Sequence, residues 1–448
     1  MINVINSPLF AASAYARRIS IDETKEFATD VAQVDFTRTP LIDKASSRRL
    51  GDRRMGEMAD LVSQFRVSEL YTQINFGGEI VRVTPLEYDD IIKWFTNRKD
   101  GVKGYITVNS VTGESTLTRL TEGNGMRYMP SAYLFDNLDR KLRFAYPTTM
   151  FDRPLFEIDD EGRPYWIVPT IKYVGIGLRK EITGVVILDP ATGESNKYKV
   201  GDIPEWVDHV WEADLLLTQV NHWGMFQGGF WNSIFGQRNV VNTTEGYNYL
   251  ALNDDIYMYS GITSASSDQS ILGFVLINMR TKAANYYAVP GAKEYSAMAS
   301  AQGQVQQMEY IATFPLLINL NGNPTYLMSL KDNAGLVKMY AFVDVVDYQR
   351  VVVTDISLGI ETAARRFISE TGIPGVAGNR EETTIEIRSI TEAVIDGSTY
   401  YFITDRNNNR YIVSVKIDRY RLPFLKTGDK ITVIYHEDQE IRIITELR

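Results

Sequence analysis

The stretches GYITVNSVTGES (104–115), GVVILDPATGES (184–195) and GFVLINMRTKAA (273–284) are three versions of one twelve-residue pattern, set 80 and then 89 residues apart. Each runs from an extended apolar segment into a turn residue, then Thr, then Gly or a substitute. A chain that reuses one strand and turn at this spacing is expected to be an array of similar units, each burying its faces against its neighbours. In the second copy Val185, Val186, Ile187 and Leu188 form the strand, and Asp189-Pro190-Ala191-Thr192-Gly193 the reversal. There the Asp side chain bonds the backbone ahead, Pro pre-sets φ and Gly accepts positive φ. In the first copy Asn109 replaces Asp189 and Gly113 supplies the glycine. The third keeps Asn278 and Thr281 but has Lys282, so its turn is expected to be built differently, left-handed backbone being unfavourable for a non-glycine residue. MYAFVDVVDYQR is a fainter fourth copy with Asp344 in the Asn109 role.

The strands differ in how they should be covered. Tyr105 to Asn109 alternates, which predicts one face toward water. Val185–Leu188 and Phe274–Ile277 are unbroken apolar runs, which predicts cover on both faces. Helices are expected between the strand units. Thr84-Pro85-Leu86-Glu87 reads as a capping box opening a helix with Tyr88, Ile91, Ile92 and Phe95. Ser131 opens another, with Leu134, Leu138 and Leu142 on one face. DIPEWVDHVWEADLL places Val207, Val210, Trp211 and Leu215 at helical spacing, with His209 on the same helix, and SLGIETAARRFISETG gives a further helix stopped by Gly372.

Composition excludes several classes. With 44% apolar and 23% charged residues, the chain has the makings of a globular protein with substantial cores. A net charge of -9 provides no overall basic field for nucleic acid or anionic lipid. There is no cysteine, so disulfides, thiolate metal sites and cysteine nucleophiles are excluded. The start, MINVINSPLFAASAYARR, has no basic segment ahead of its short apolar patch, which argues against a secretory signal. No apolar run approaches the ~20 residues of a spanning helix, so the sequence reads as cytoplasmic.

Beyond ETGIPGVAGNREETT, a Gly/Pro/charged linker, come short strands near Thr384–Ile390, Thr399–Thr404, Tyr411–Val415, Lys430–Tyr435 and Glu440–Thr445. Five such strands predict a small OB- or SH3-like barrel. Its Tyr401, Arg406, Arg410 and Tyr411 are the candidate contacts for single-stranded nucleic acid.

Catalytic signatures are sparse. The only histidines are His209, His222 and His436, and neither a G-x-S-x-G elbow nor H-E-x-x-H occurs. Asp159-Asp160-Glu161-Gly162 and Asn253-Asp254-Asp255 read as turns rather than calcium loops. No catalytic residue, metal ligand or cofactor is therefore assigned, and the chain is not expected to be an enzyme. Lys44, Arg48, Arg49, Arg53 and Arg54 form the strongest basic cluster, but Asp43, Asp52 and Glu57 are interleaved with it, which favours a salt-bridged solvent face over a phosphate contact. HWGMFQGGFWNSIFGQ (222–237) concentrates Trp223, Phe226, Phe230, Trp231 and Phe235, the candidate interface residues. Its Gly224, Gly228, Gly229 and Gly236 predict that no regular helix forms there, each costing up to ~1 kcal/mol relative to Ala.

PYWIVPTIKYV followed by GVVILDPATGES resembles a PepSY-like unit, in which a helix packs on a short antiparallel sheet. DKASSRRLGDRRMGE, LVSQFRVSELYTQINF, FEIDDEGRPYWIVP, FGQRNVVNTTEGYNYLALNDDIYMYSG and TFPLLINLNGNPTYLMSLKDNAGLVKMYAFV resemble an uncharacterised, often membrane-anchored family of Gram-positive bacteria. The resemblance implies an α+β chain: an N-terminal extension and helical segment (1–67), tandem PepSY-like repeats (68–371), a linker (372–383) and a five-stranded β-barrel (384–448). It also implies membrane association. The expected function is that of a non-enzymatic scaffold or assembly protein working through protein–protein contacts, self-assembly included. The alternatives are a nucleic-acid-binding protein acting through the barrel, and a PepSY-like inhibitor or folding aid for another enzyme. No transmembrane segment is expected, and peripheral membrane contact is compatible with the sequence.

Overall fold

In the computed structural model, which describes residues 6–448 apart from 122, 176–178, 253–254, 266–269, 372–380, 396–397 and 439–440, each repeat strand is the third line of a small antiparallel sheet. The first line is broken into two short pieces, the second is long, and the fourth is short. In the first module these are Phe65–Val67 with Thr72–Phe76, Glu79–Tyr88, Gly104–Asn109 and Ser115–Arg119. The second module has Met150–Phe151 with Leu155–Ile158, Pro164–Val174, Arg179–Leu188 and Ser195–Lys199. The third has Val241–Thr243 with Asn248–Leu252, Asp255–Ser264, Gly273–Asn278 and Ala284–Tyr287. The fourth, built on the faint copy, has Ile311–Ala312 with Leu316–Leu320, Asn323–Lys331, Val337–Asp344 and Val351–Asp355. A helix precedes each sheet: Lys44–Gly56, Leu138–Ala145, Ala213–Phe226 and Glu294–Gln304. The class is α+β.

The break in the first line recurs in all four modules, held by one hydrogen bond. The backbone N–H after the first piece donates to a carbonyl of the long strand: Ser68 to Pro85 (3.0 Å), Asp152 to Pro169 (2.9 Å), Thr244 to Gly261 (2.8 Å) and Thr313 to Ser329 (2.9 Å). Two of these acceptors are prolines, placed where the ladder is interrupted and a missing N–H is tolerated. This overturns the helix expected from Thr84-Pro85-Leu86-Glu87, which lies inside a strand. The Thr84 hydroxyl donates to the Ser68 carbonyl instead of capping. The helix there is Ile91–Asn97, capped by Asp90, which accepts from the N–H groups of Ile92 and Lys93 at 2.7 and 2.9 Å.

All four turns open with the same side-chain bonds, and the first three share their whole geometry, the fourth being one residue longer. The Oδ1 of Asn109, Asp189, Asn278 and Asp344 each accepts two N–H groups, from the residues two and three ahead. In the first two copies the left-handed position is glycine, Gly113 at φ 76° and Gly193 at φ 74°. The third turn, expected to differ, is built alike: Lys282 takes φ 68° and its N–H donates to the Asn278 carbonyl as the glycines do to theirs. Two contacts hold this strained residue, a hydrogen bond from its Nζ to the Arg18 carbonyl and a stack 4.5 Å from the Trp211 ring.

The chain divides into two units, residues 1–25 with 37–287, and 26–36 with 288–448. In the first unit the second module is buried on both faces. Trp166, Val168, Val186 and Leu188 join the core of the first module, with Val81, Val83 and Ile106. Their alternating neighbours Ile167, Val185 and Ile187 join Val207, Leu216, Met258, Val275 and Ile277 of the third. The unbroken run Val185–Leu188 is thus two period-2 faces, each with its own core, and Phe274–Ile277 is likewise buried throughout. The Tyr105 strand is more covered than its alternation predicts, because Tyr105 is buried and its hydroxyl donates to the Gly162 carbonyl at 2.7 Å. Residues Ile21–Lys25 of the N-terminal extension add a parallel strand beside Ala284–Tyr287.

Two other helices differ from expectation. Leu138–Ala145 is capped by Asn137, not Ser131, and Leu134 stands exposed in the turn before it. Residues 203–212 are irregular. Val207, Val210 and Trp211 are buried at helix-like spacing, but the N–H groups of Val210 and Trp211 go to the Met279 carbonyl, so no helix closes. Helix Ala213–Phe226 instead runs through Gly224. There the glycine is a close-approach residue, since a Cβ would sit 2.1 Å from the Val241 carbonyl oxygen.

In the second unit, residues 26–36 run beside the fourth module, where the Asn319 amide donates to the Val31 carbonyl at 2.6 Å. Helix Ile360–Thr371 follows the module, then strands Glu381–Ile395, Ser398–Asp405, Arg410–Ser414, Lys430–Asp438 and Ile441–Leu447, whose pairings close on themselves. Glu370, buried near the helix end, accepts from Arg366 Nε (2.7 Å), Tyr400 Oη (2.8 Å) and Lys416 Nζ, binding the helix to these strands. Gly372 and most of the 372–383 linker lie outside the described residues.

The turn geometry makes an asymmetric pair of variants. Gly193→Ala places a Cβ 2.4 Å from the Tyr128 ring in left-handed backbone and should cost about 2 kcal/mol or more in urea unfolding. Lys282→Gly relieves similar backbone strain while losing the Trp211 contact, and should change stability by less than about 1 kcal/mol. Equal losses at the two positions would contradict a shared turn.

Candidate functional site

Irregular backbone buried in a core must find acceptors for its N–H groups, and within 207–211 it finds the Met279 carbonyl and one carboxylate. Glu157, fully buried on strand Leu155–Ile158, accepts from the N–H of Asp208 through Oε2 (2.9 Å) and of His209 through Oε1 (3.0 Å). Asp208 in turn accepts from the N–H of Asn75 at 2.7 Å. His209 Nε2 lies 2.7 Å from the Gln73 carbonyl, which can only accept, so the ring carries its proton there. Arg82, opposite Gln73 on the neighbouring strand, is also buried. Both polar atoms of the Gln73 amide, and Arg82 Nε, have no hydrogen-bond partner among the described residues. The junction joins residues of the first module, the second, and the segment entering the third.

Burial sets the protonation states. It pulls His209 down to about 4, leaving a neutral imidazole, and Arg82 down to about 10. It raises Asp208 to about 7, with the Asn75 N–H opposing, Asp255 and Asp160 adding to the rise and Arg280 reducing it. Glu157 is held well above the ordinary carboxyl range by burial first and by the Asp208 charge second, against its two N–H bonds. Asp208 can therefore hold and release a proton near neutrality, and Glu157 holds its proton more tightly than an ordinary carboxyl. Glu157 is fully buried, and through its two N–H bonds it fastens the 207–211 segment to strand Leu155–Ile158. Among the described residues no three His, Asp or Glu side chains are grouped to hold a metal ion.

The residues singled out from the sequence lie elsewhere. Lys44, Arg48, Arg49, Arg53 and Arg54 are on helix Lys44–Gly56, where Arg48 pairs with Glu69 (2.6 Å) and Arg54 with Glu57 (2.8 Å). The aromatic stretch is split. Trp223 and Phe226 are on helix Ala213–Phe226, and Phe226 is buried with Ala12, Tyr15 and Ala16. Phe230 is half-buried against that cluster, whereas Trp231 and Phe235 are 62% and 77% exposed. Tyr401 and Tyr411 are buried in the core of the C-terminal strands. Arg406 pairs with Glu386 and, with Tyr411, borders a polar recess of about 350 Å³; Arg410 is exposed and outside it. His209 is on irregular backbone, not a helix, and His222 meets Arg18 at 3.0 Å and is lowered to about 4 by burial first. Asp159 to Gly162 forms the hairpin turn expected, with Asp159 Oδ1 accepting from the N–H groups of Glu161 and Arg163. Asn253, Asp254 and the His436 side chain lie outside the described residues. Glu157 and Asp208 were missed because a Glu in a strand and an Asp in a presumed helix carry no signal of meeting.

No protein-family model matches the chain, and no curated protein sequence does. Among solved structures, the chain aligns with the GH43_1 enzyme from Xanthomonas citri complexed with xylotriose at 12% identity, covering 81% of this chain and 88% of that one, with a TM-score of 0.20. It aligns with MPT-1, a GDP-Man-dependent mannosyltransferase from Leishmania mexicana, at 9% identity over 86% and 98% of the two chains, TM-score 0.17. At such scores neither likeness carries an argument about fold or function.

The sign of the junction's pH dependence follows from its shifts. Asp208 binds a proton more tightly folded than unfolded, so its contribution is present at low pH and lost as pH rises through about 7. His209 acts oppositely between about 4 and its ordinary 6.5 and drops out above that. Asp208→Asn keeps an acceptor for Asn75 and buries no charge. Its thermal midpoint should exceed that of the native chain at pH 8.5, with the gain shrinking or vanishing at pH 5.5. A gain independent of pH would mean Asp208 is not the titrating group.

Proposed function

We propose that this protein is a non-enzymatic scaffold whose tandem PepSY-like modules and OB-like barrel work through protein–protein contacts, beginning with a second copy of the chain. One observation carries the reading: an apolar face that the fold leaves in solvent. Helix Ile91–Asn97 turns Ile91, Ile92 and Phe95 outward, at 54%, 68% and 63% exposure. Beside it, with Tyr133 5.6 Å from Trp94, stand the exposed Leu134 and Phe135. Leu134 is in left-handed backbone at φ 53°, a strained conformation for a bulky residue. Contiguous exposed apolar surface of this kind marks interaction sites. Asp89 and Asp90 share the surface with Lys93 and Arg98. Both signs on one face suit a self-complementary contact across a two-fold axis.

The nucleic-acid reading draws support from the strand order of the C-terminal sheet, first-second-third-fifth-fourth with a parallel third–fifth pair, which is OB-like. Against it, Tyr401 and Tyr411 are interior, so neither offers a stacking platform, and Arg406 is engaged by Glu386. Sedimentation velocity across a concentration series tests the scaffold reading. The native chain should self-associate, and Ile92→Ser with Phe95→Ser should weaken association tenfold or more, about 1.4 kcal/mol, with an unchanged thermal midpoint. A native chain that stays monomeric throughout would refute it.

A further inference from the structure

We infer that a second surface, separate from the one above, docks on an anionic lipid membrane. It is built by residues 229–238 and helix Pro8–Ala16. After helix Ala213–Phe226, Gly229 (φ 84°) turns the chain and residues 232–236 make a single wide helical turn. That turn is internally tied. The Asn232 side chain donates to the Arg238 carbonyl (2.9 Å) and accepts from the Arg238 N–H (3.2 Å), and the Ser233 hydroxyl donates to the Phe230 carbonyl (2.7 Å). Phe230 anchors it on the cluster of Ala12, Tyr15, Ala16 and Phe226. Beyond the anchor, Trp231 and Phe235 stack 5.8 Å apart at 15° and project into solvent with Ile234, and Phe10 is exposed on the adjoining helix.

Charge selects the occupant. Residues 6–20 and 215–244, which make this surface, contain no Asp or Glu, in a chain carrying 56 of them. The ionised side chains they expose are Arg17 and Arg238. A protein interface in so acidic a chain would be expected to carry both signs, as the Ile91–Phe95 face does. Glu181 comes to these segments only as the partner of the buried Arg18. An aromatic wedge with cationic flanks and no carboxylate in its own segments matches the headgroup region of an anionic bilayer, where Trp is favoured, Lys and Arg are attracted and carboxylates repelled. The wedge is too small to span. Among the described residues no helix is long and apolar enough to cross a membrane, so the contact is peripheral.

Co-sedimentation of the full chain with vesicles tests this, using phosphatidylcholine alone and phosphatidylcholine mixed with phosphatidylserine. The native chain should bind the mixed vesicles more strongly, and Trp231→Ser with Phe235→Ser should reduce partitioning roughly tenfold or more. If that variant does not fold, brominated lipid provides the second readout. It should quench part of the native tryptophan emission, and the conservative Trp231→Phe variant should lose that quenched part while still binding. Absence of native binding, undiminished binding by a folded double variant, or quenching unchanged in Trp231→Phe would each overturn the proposal.

Discussion

Burial of one sheet on both faces governs the first unit. In the second module, residues of even and odd number on the same strand enter different cores, Val186 and Leu188 with the first module, Val185 and Ile187 with the third. A module of one helix and a few short strands covers at most one face of its sheet. Placed alone, the second module would expose the two large aliphatic side chains on the other face of its repeat strand, Val185 and Ile187, each worth about 1.5–3 kcal/mol when buried. The neighbours are therefore part of its fold, and the repeat is the means by which one small design covers its own open face.

The polar junction is a consequence of that stacking. Joining the second module to the third requires residues 203–212 to cross buried space without regular structure, and their N–H groups need acceptors there. Glu157 meets the need for Asp208 and His209, and the Met279 carbonyl for Val210 and Trp211, while Asp208 accepts in turn from Asn75; the two buried carboxyls hold protons more tightly as a result. Proton sensitivity near neutrality thus comes with the connection, and requires no catalytic role. The fourth module solves its own attachment differently, through Glu370 with cationic and hydroxyl partners that hold the carboxylate ionised.

Much of the architecture was legible because it is local. Asx-type turns announce themselves in Asn109, Asp189, Asn278 and Asp344, and unbroken apolar runs announce two-sided burial. The failures share a cause, which is that a partner distant in sequence decided the outcome. Thr84-Pro85-Leu86-Glu87 satisfies every local rule for a helix start, yet Pro85 faces a break in the neighbouring strand. Val207, Val210 and Trp211 have helical spacing, but Met279 and Glu157 take the backbone N–H groups. Lys282 adopts a glycine conformation because Trp211 and the Arg18 carbonyl are in place to receive its side chain. Gly224, read as a helix breaker, is what lets a helix lie close to Val241. The exposed tip at Trp231 and Phe235 was visible as aromatic excess, but which of its residues are anchors and which are free depended on helix Pro8–Ala16.

The account stands on the three stacked modules of the first unit unfolding together, since each supplies cover that another lacks. Native-state hydrogen exchange in a denaturant series measures this residue by residue. The amides of Val81–Val83, Val185–Leu188 and Val275–Ile277 should exchange through a single opening, with one free energy and one denaturant dependence. Val275–Ile277 opening at markedly lower free energy, while Val81–Val83 and Val185–Leu188 stay protected, would show that the third module is not needed to cover the second, and the shared-core account would be wrong.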